Sequence, residues 1–174
     1  MSEKIVITSA QRTAVGSLSK SLKNVPAYEL GASVINEVVK KSNLKNDDVD
    51  EVILGQVLTG GTGQNPARQA AIKSGIPKEK AAYLVNQVCG SGIRSVVSGF
   101  QSIKSKDAKI IVAGGQENMS LAPHAIHLRD GKKLGDIAMT DTMIKDGLWD
   151  AFHGYHMGVT AENVATKFQV TRED

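Results

Sequence analysis

A single cysteine, Cys89, stands in a chain of 174 residues. One thiol excludes an intramolecular disulfide framework and fits a reducing, cytoplasmic compartment. Aromatic residues make up only 4% of the chain, and Lys and Arg are scattered among Asp and Glu to a net charge of +3. A nucleic-acid surface of massed basic residues is therefore not expected. No apolar stretch approaches the roughly 18 residues that a membrane-crossing helix needs. The opening MSEKIVITSAQRT lacks a signal-peptide pattern. What is there is an ordinary globular composition, 41% hydrophobic and 22% charged. The length suits one domain or part of a larger one.

Apolar runs and helical periodicities alternate along the first two thirds. The triplet Ile5-Val6-Ile7 predicts a buried strand. Pro26 opens a helix to about Ser42 with an apolar face of Leu30, Val34, Ile35 and Val38, and Asn43 is placed to end it in a left-handed conformation. Residues 50–58, DEVILGQVL, read as a strand. The turn TGGTGQNP then leads into a helix over 67–74, closed by Gly75 with Pro77 beyond. A third strand spans 83–88, and the turn at Cys89 starts a helix to about Lys104. Residues 109–113 are so uniformly apolar that a central, parallel strand is expected. The order βαβαβαβ calls for a parallel or mixed sheet with helices on its faces. After Gly115 the pieces are short and weakly periodic, until a last helix over 160–168 that should bury Ala161, Val164, Ala165 and Phe168. The closing Thr171-Arg172-Glu173-Asp174 resembles a capping box, with a hydroxyl and an acid three residues on. It reads as the first turn of a helix that the sequence does not contain.

Residues 85–96, VNQVCGSGIRSV, put the one thiol at or just before a helix start. Apolar residues recur at Ile93, Val96, Val97, Phe100 and Ile103, which is a helix face. The unpaired N–H groups and dipole of a helix start stabilise negative charge on a thiol there, and can also hold the oxyanion of an acyl-transfer intermediate. Small residues at 90–92 leave room for a substrate carbonyl. A buried structural cysteine is the other reading of the same spacing. The opposite stripe, Gly92, Ser95, Gly99 and Ser102, suits close packing on another helix, for which the sequence offers no obvious mate.

Two weaker patterns carry less. Gly61-x-Gly63 is followed by Pro66 where a dinucleotide fingerprint needs its third glycine, and no phosphate-binding lysine follows. His124/His127 and His153/His156 have H-x-x-H spacing, but no carboxylate or cysteine is placed as a convincing third ligand, so no metal is expected.

Five segments then point one way: NQVCGSGIRSV, LGQVLTGGTGQNPARQAA (54–71), IIVAGGQENMSLAPH (110–124), DTMIKDGLWDAFHGYHMG (141–158) and TAENVA (160–165). In this order, over residues 5–173, they resemble the thiolase family, above all its biosynthetic, acetoacetyl-CoA-forming members. One departure is Gln116-Glu117-Asn118, where the family commonly has Met-Glu-Ser.

The resemblance implies a thiolase-like layered α/β fold, a mixed sheet with helices on both faces. Residues 1–118 would form the amino-terminal domain, and 119–174 the first part of a loop domain for substrate binding and tetramerisation. It implies an acetyl-CoA C-acetyltransferase in which Cys89 takes the acyl group from acyl-CoA, its own N–H helping to form an oxyanion hole. Leu148, His156 and Met157 would line the pantetheine and acyl pocket, and Gln64 would lie near the active site. No cofactor is implied, coenzyme A thioester being the substrate. The strand before Cys89 would pair with a second subunit in a homo- or hetero-oligomer, a dimer of dimers, with no nucleic acid or membrane as partner.

Thiolases also carry an Asn-Glu-Ala-Phe segment, a Gly-His-Pro histidine and a Cys-x-Gly cysteine, and none of these occurs in the sequence. The chain is therefore expected to be an amino-terminal part, incomplete without a carboxy-terminal half supplied as a separate chain. The alternative is a non-catalytic remnant or interaction module that binds acyl-CoA or a partner without turnover. The intact Cys89 motif favours the enzyme.

Overall fold

β1 (Glu51–Gly55) has Val52, Ile53 and Leu54 all buried. A short apolar run without polar alternation suits a strand covered on both faces. It pairs in parallel with β2 (Ala81–Val85) on one side and β3 (Ile111–Gly115) on the other. The sheet is thus parallel, in the order β2-β1-β3. One expectation is corrected: β1 is the central strand, and β3 is a half-buried edge.

These elements belong to the first of two compact units in a computed structural model that describes residues 4–174; the unit ends at Leu121 and the second runs Ala122–Asp174. Residues 5–7 do not form the expected strand. Val6 and Ile7 are 70% and 79% exposed. An apolar triplet becomes a strand only by pairing, and among the described residues no strand lies beside it.

α1 (Ala27–Lys41) follows Pro26 directly, and Asn43 closes it at φ 54°. α2 (Pro66–Lys73) starts at Asn65, whose side chain accepts a hydrogen bond from Arg68 N at 3.0 Å, and stops before Gly75 at φ 82°. These ends match the local signals, since caps depend on neighbours in sequence. Ile35, Val39, Ala67, Ala70 and Ala71 pack on Val52 and Leu54, so α1 and α2 cover one face of the sheet. The inward face of α1 is rotated from the expected one: Gly31, Ile35 and Val39 are buried, while Leu30, Val34 and Val38 are half-buried.

α3 (Ser91–Ser105) covers the other face, and it inverts an expectation. Its small stripe faces the sheet: Ser91, Ser95 and Gly99 are buried, and a Cβ on Gly99 would meet Ile111 Cγ2 at 3.2 Å. The Ser95 hydroxyl lies 2.7 Å from the Gly114 carbonyl. The larger apolar residues Ile93, Val96, Val97 and Phe100 are exposed, Ile93 to 74%. Only small side chains fit where the helix approaches strands ending in Gly55, Gly114 and Gly115.

The second unit holds a short antiparallel pair, β4 (His124–Ala125) and β5 (Thr140–Asp141), a π-helical turn (Met143–Leu148) and α4 (Met157–Phe168). No residue from 122 to 174 is buried. The face of α4 expected to be buried is open, with only Ala165 half-covered and Phe168 66% exposed. So few and such short elements bury little surface of their own. At the end of the chain Thr171 N donates to Asp174 Oδ2 at 2.9 Å, and Asp174 N to Thr171 Oγ1 at 3.4 Å, the reciprocal bonds of a capping box.

Candidate functional site

Beyond β2 the chain makes one tight turn before α3 begins. Asn86 Oδ1 accepts from Val88 N at 2.9 Å, and Val88 takes a left-handed φ of 48°. A β-branched residue rarely occupies that region, so the turn has to be held. Gly90 N donates to Gln87 O at 3.0 Å, and Ser91 N to Val88 O at 3.1 Å. The Ser91 hydroxyl accepts from Gln87 N at 2.8 Å and donates to Val88 O at 2.6 Å. Cys89 is therefore the residue before the cap Gly90 of α3, and it is exposed. The helix-start position expected from the sequence is the one observed.

The floor beneath this turn is the exit of β1. A Cβ on Gly55 would fall 2.4 Å from the Ser91 carbonyl carbon, so the head of α3 sits on bare backbone. The segment after Gly55 is bound to the end of β3: Gln116 N donates to Gly55 O at 2.9 Å, and the Glu117 carboxylate accepts from Val57 N at 2.7 Å and Leu58 N at 3.3 Å. Burial pushes the Glu117 carboxyl above its ordinary range, against the two backbone N–H groups that favour its charge. Asn86 Nδ2 reaches Val57 O at 3.4 Å, joining this strap to the Cys89 turn.

Gln116 and Asn118 are built in. Asn118 Nδ2 lies 2.7 Å from Val25 O and 3.0 Å from Leu22 O. Gln56 Nε2 donates to Leu58 O, which leaves Gln56 Oε1 to accept from Gln116 Nε2 at 2.9 Å. That fixes both amide orientations and leaves Gln116 Oε1 buried with no donor, facing Gly31.

Leu148, His156 and Met157 lie together in the second unit. Trp149 and His156 form an antiparallel bridge, so Leu148 and Met157 flank it on opposite segments. His156 caps α4: its Nδ1 accepts from Gly158 N at 3.0 Å, which leaves Nε2 to carry the proton of the neutral ring. His156 and Met157 are exposed and Leu148 is half-buried. Gln64 contributes its carbonyl, which accepts from Gln69 Nε2 at 2.8 Å. His153 Nδ1 lies 3.2 Å from Asp150 Oδ2 and His124 Nε2 3.9 Å from Asp141 Oδ2, and among the described residues no three His, Cys, Asp or Glu side chains are grouped to hold a metal.

A cavity of about 440 Å³ lies between residues 11–18, α1 and residues 115–120, and Cys89 is not in its wall. Ser91, Asn86 and Glu117 are the residues that sequence reading missed. In the sequence Ser91 stands out only as a small residue beside the thiol, and Glu117 only as the centre of the triplet 116–118.

The first unit is thus an α/β domain, a parallel sheet with an exposed thiol at the head of one covering helix. The chain belongs to the thiolase family: the model of the thiolase N-terminal domain matches residues 5–174. It is 62% identical to an acetyl-CoA acetyltransferase of Rhizobium meliloti over 98% of this chain and 43% of that protein. It is 58% identical to one of Paracoccus denitrificans, over 98% and 44%. A cytosolic acetyl-CoA acetyltransferase of Rattus norvegicus is 52% identical over 99% and 43%. The chain thus spans less than half the length of these curated relatives. No helix is long and apolar enough to cross a membrane among the described residues.

Proposed function

We propose that this chain supplies the nucleophilic half of a cytoplasmic acetyl-CoA C-acetyltransferase and works with a separately made carboxy-terminal half. The observation that carries the reading is the place of Cys89, exposed and held at the head of α3 over a glycine floor. The Cys89 thiolate attacks the thioester carbonyl of acetyl-CoA. Its S–C bond forms, the bond to the CoA sulfur breaks, and CoA leaves as a thiolate that takes up a proton. The backbone N–H of Cys89 donates to the oxyanion in that step. Leu148, His156 and Met157 line the pantetheine and acyl pocket, with residues 119–174 as the first part of a loop domain. The enolate of a second acetyl-CoA then attacks the acyl-Cys89 carbonyl and frees the thiol.

The enolate needs a base and a second donor array, and each such missing element costs orders of magnitude in rate. Support for a separate half comes from α3, whose Ile93, Val96, Val97 and Phe100 lie bare on the side away from the sheet. Assembly as a dimer of dimers through the strand before Cys89 belongs to the same reading. The test is acetoacetyl-CoA formation. The chain alone should make none, adding a thiolase carboxy-terminal half should start turnover, and Cys89→Ser should stop it. Robust synthesis by the chain alone would overturn the split-enzyme reading. A mixture that assembles yet never turns over would favour the non-catalytic module.

A further inference from the structure

Val88 O and Cys89 N–H belong to one peptide unit. In a trans peptide these two groups point in opposite directions, so whatever grips the carbonyl aims the N–H. The carbonyl is gripped twice by Ser91, from its hydroxyl at 2.6 Å and its backbone N–H at 3.1 Å. The same hydroxyl takes a hydrogen bond from Gln87 N at 2.8 Å, closing the turn from its other end. Ser91 is 3% exposed, and the turn it closes contains the left-handed Val88. A backbone under that strain keeps one orientation only where its surroundings over-determine it.

We propose that Ser91 is the positioning residue for the Cys89 N–H, aiming it as the donor to the oxyanion formed when Cys89 is acylated. This rests on the reading of Cys89 as the nucleophile. Ser91 touches no reacting atom; it acts through the 88–89 peptide. Its loss should therefore slow reactions of Cys89 that pass through an oxyanion, and spare those that do not.

Two probes on the full chain separate the cases. p-Nitrophenyl acetate acylates a thiolate: the S–C bond forms, an oxyanion appears on the carbonyl, and the bond to p-nitrophenolate breaks. Iodoacetamide alkylates the same sulfur by displacing iodide, with no oxyanion. In Ser91→Ala the ratio of acylation to alkylation rates at Cys89 should fall about tenfold or more. Ser91→Thr, which keeps the hydroxyl, should hold the wild-type ratio. Ser95→Ala is the comparison: that hydroxyl is 0% exposed and bonds Gly92 O and Gly114 O, away from the turn. Its ratio should stay within about twofold. If Ser91→Ala does not fold, Val88→Gly beside it relieves the left-handed strain and provides the folded protein for the same comparison. An unchanged ratio without the Ser91 hydroxyl, or an equal fall in Ser95→Ala, would overturn the role of Ser91 alone. A wild-type Cys89 that neither reagent modifies faster than a free thiol would overturn the nucleophile reading, and this inference with it.

Discussion

Gly55 and Ser91 are in backbone contact: a Cβ on Gly55 would lie 2.4 Å from the Ser91 carbonyl carbon and 2.7 Å from its Cβ. The end of the central strand and the head of the cysteine helix thus share a space that no side chain can enter. Gly55→Ala must push the first turn of α3 off the sheet, and such overpacking costs about 1–3 kcal/mol. A lower urea midpoint should come with slower alkylation of Cys89. A stable Gly55→Ala with wild-type reactivity would contradict this contact.

Gly31 and Gln116 make a second tight pair, on the opposite face of the sheet. A Cβ on Gly31 would fall 2.0 Å from Gln116 Oε1, an oxygen that has no room to retreat because its amide nitrogen is tied to Gln56. Gly31→Ala should destabilise by about 1–3 kcal/mol. The same change in a Gln116→Ala background should cost clearly less, a coupling that a double-mutant cycle in urea would measure. Additive losses would show that the two residues do not compete for this space.

Two carboxylates should give opposite slopes to the pH dependence of stability. The backbone N–H groups of Lys109 and Ile110, at 2.8 and 3.1 Å, hold Asp50 below its ordinary 3.8. A lowered acid stabilises the fold above its unfolded pKa, and that contribution is lost as pH falls through the folded one. Asp50→Asn should therefore be less stable than wild type near neutrality, the gap closing in acid below 3.8. Burial raises Glu117 above its ordinary 4.5, so its contribution is fully present below that value and lost as pH rises through the folded pKa. Glu117→Gln should accordingly gain on wild type as pH rises from 4.5. Urea midpoints across this range check both signs, and parallel curves for wild type and either variant would refute that residue's part.

Much of the fold was legible because its signals are local. Pro26, Asn43 and Gly75 mark helix ends through their own backbone preferences, and the run in β1 is too apolar to be anything but covered. The place of Cys89 was legible for the same reason. What depends on packing was not. Periodicity showed α3 to have an apolar stripe and a small one, and the glycines ending β1 and β3 decide that the small one turns inward. The triplet 5–7 has strand-forming residues, but pairing is a property of its neighbours. The clamp of Ser91 on Val88 needs a left-handed β-branched residue, which no sequence pattern announces.

The most direct test of the account is the mass of the Cys89 peptide after the chain and a thiolase carboxy-terminal half are mixed with acetyl-CoA and quenched in acid. One acetyl group is expected on Cys89, lost when a second acetyl-CoA is allowed to react and absent in Cys89→Ser. Turnover with the acetyl group on another residue, or with Cys89→Ser as active as wild type, would contradict it.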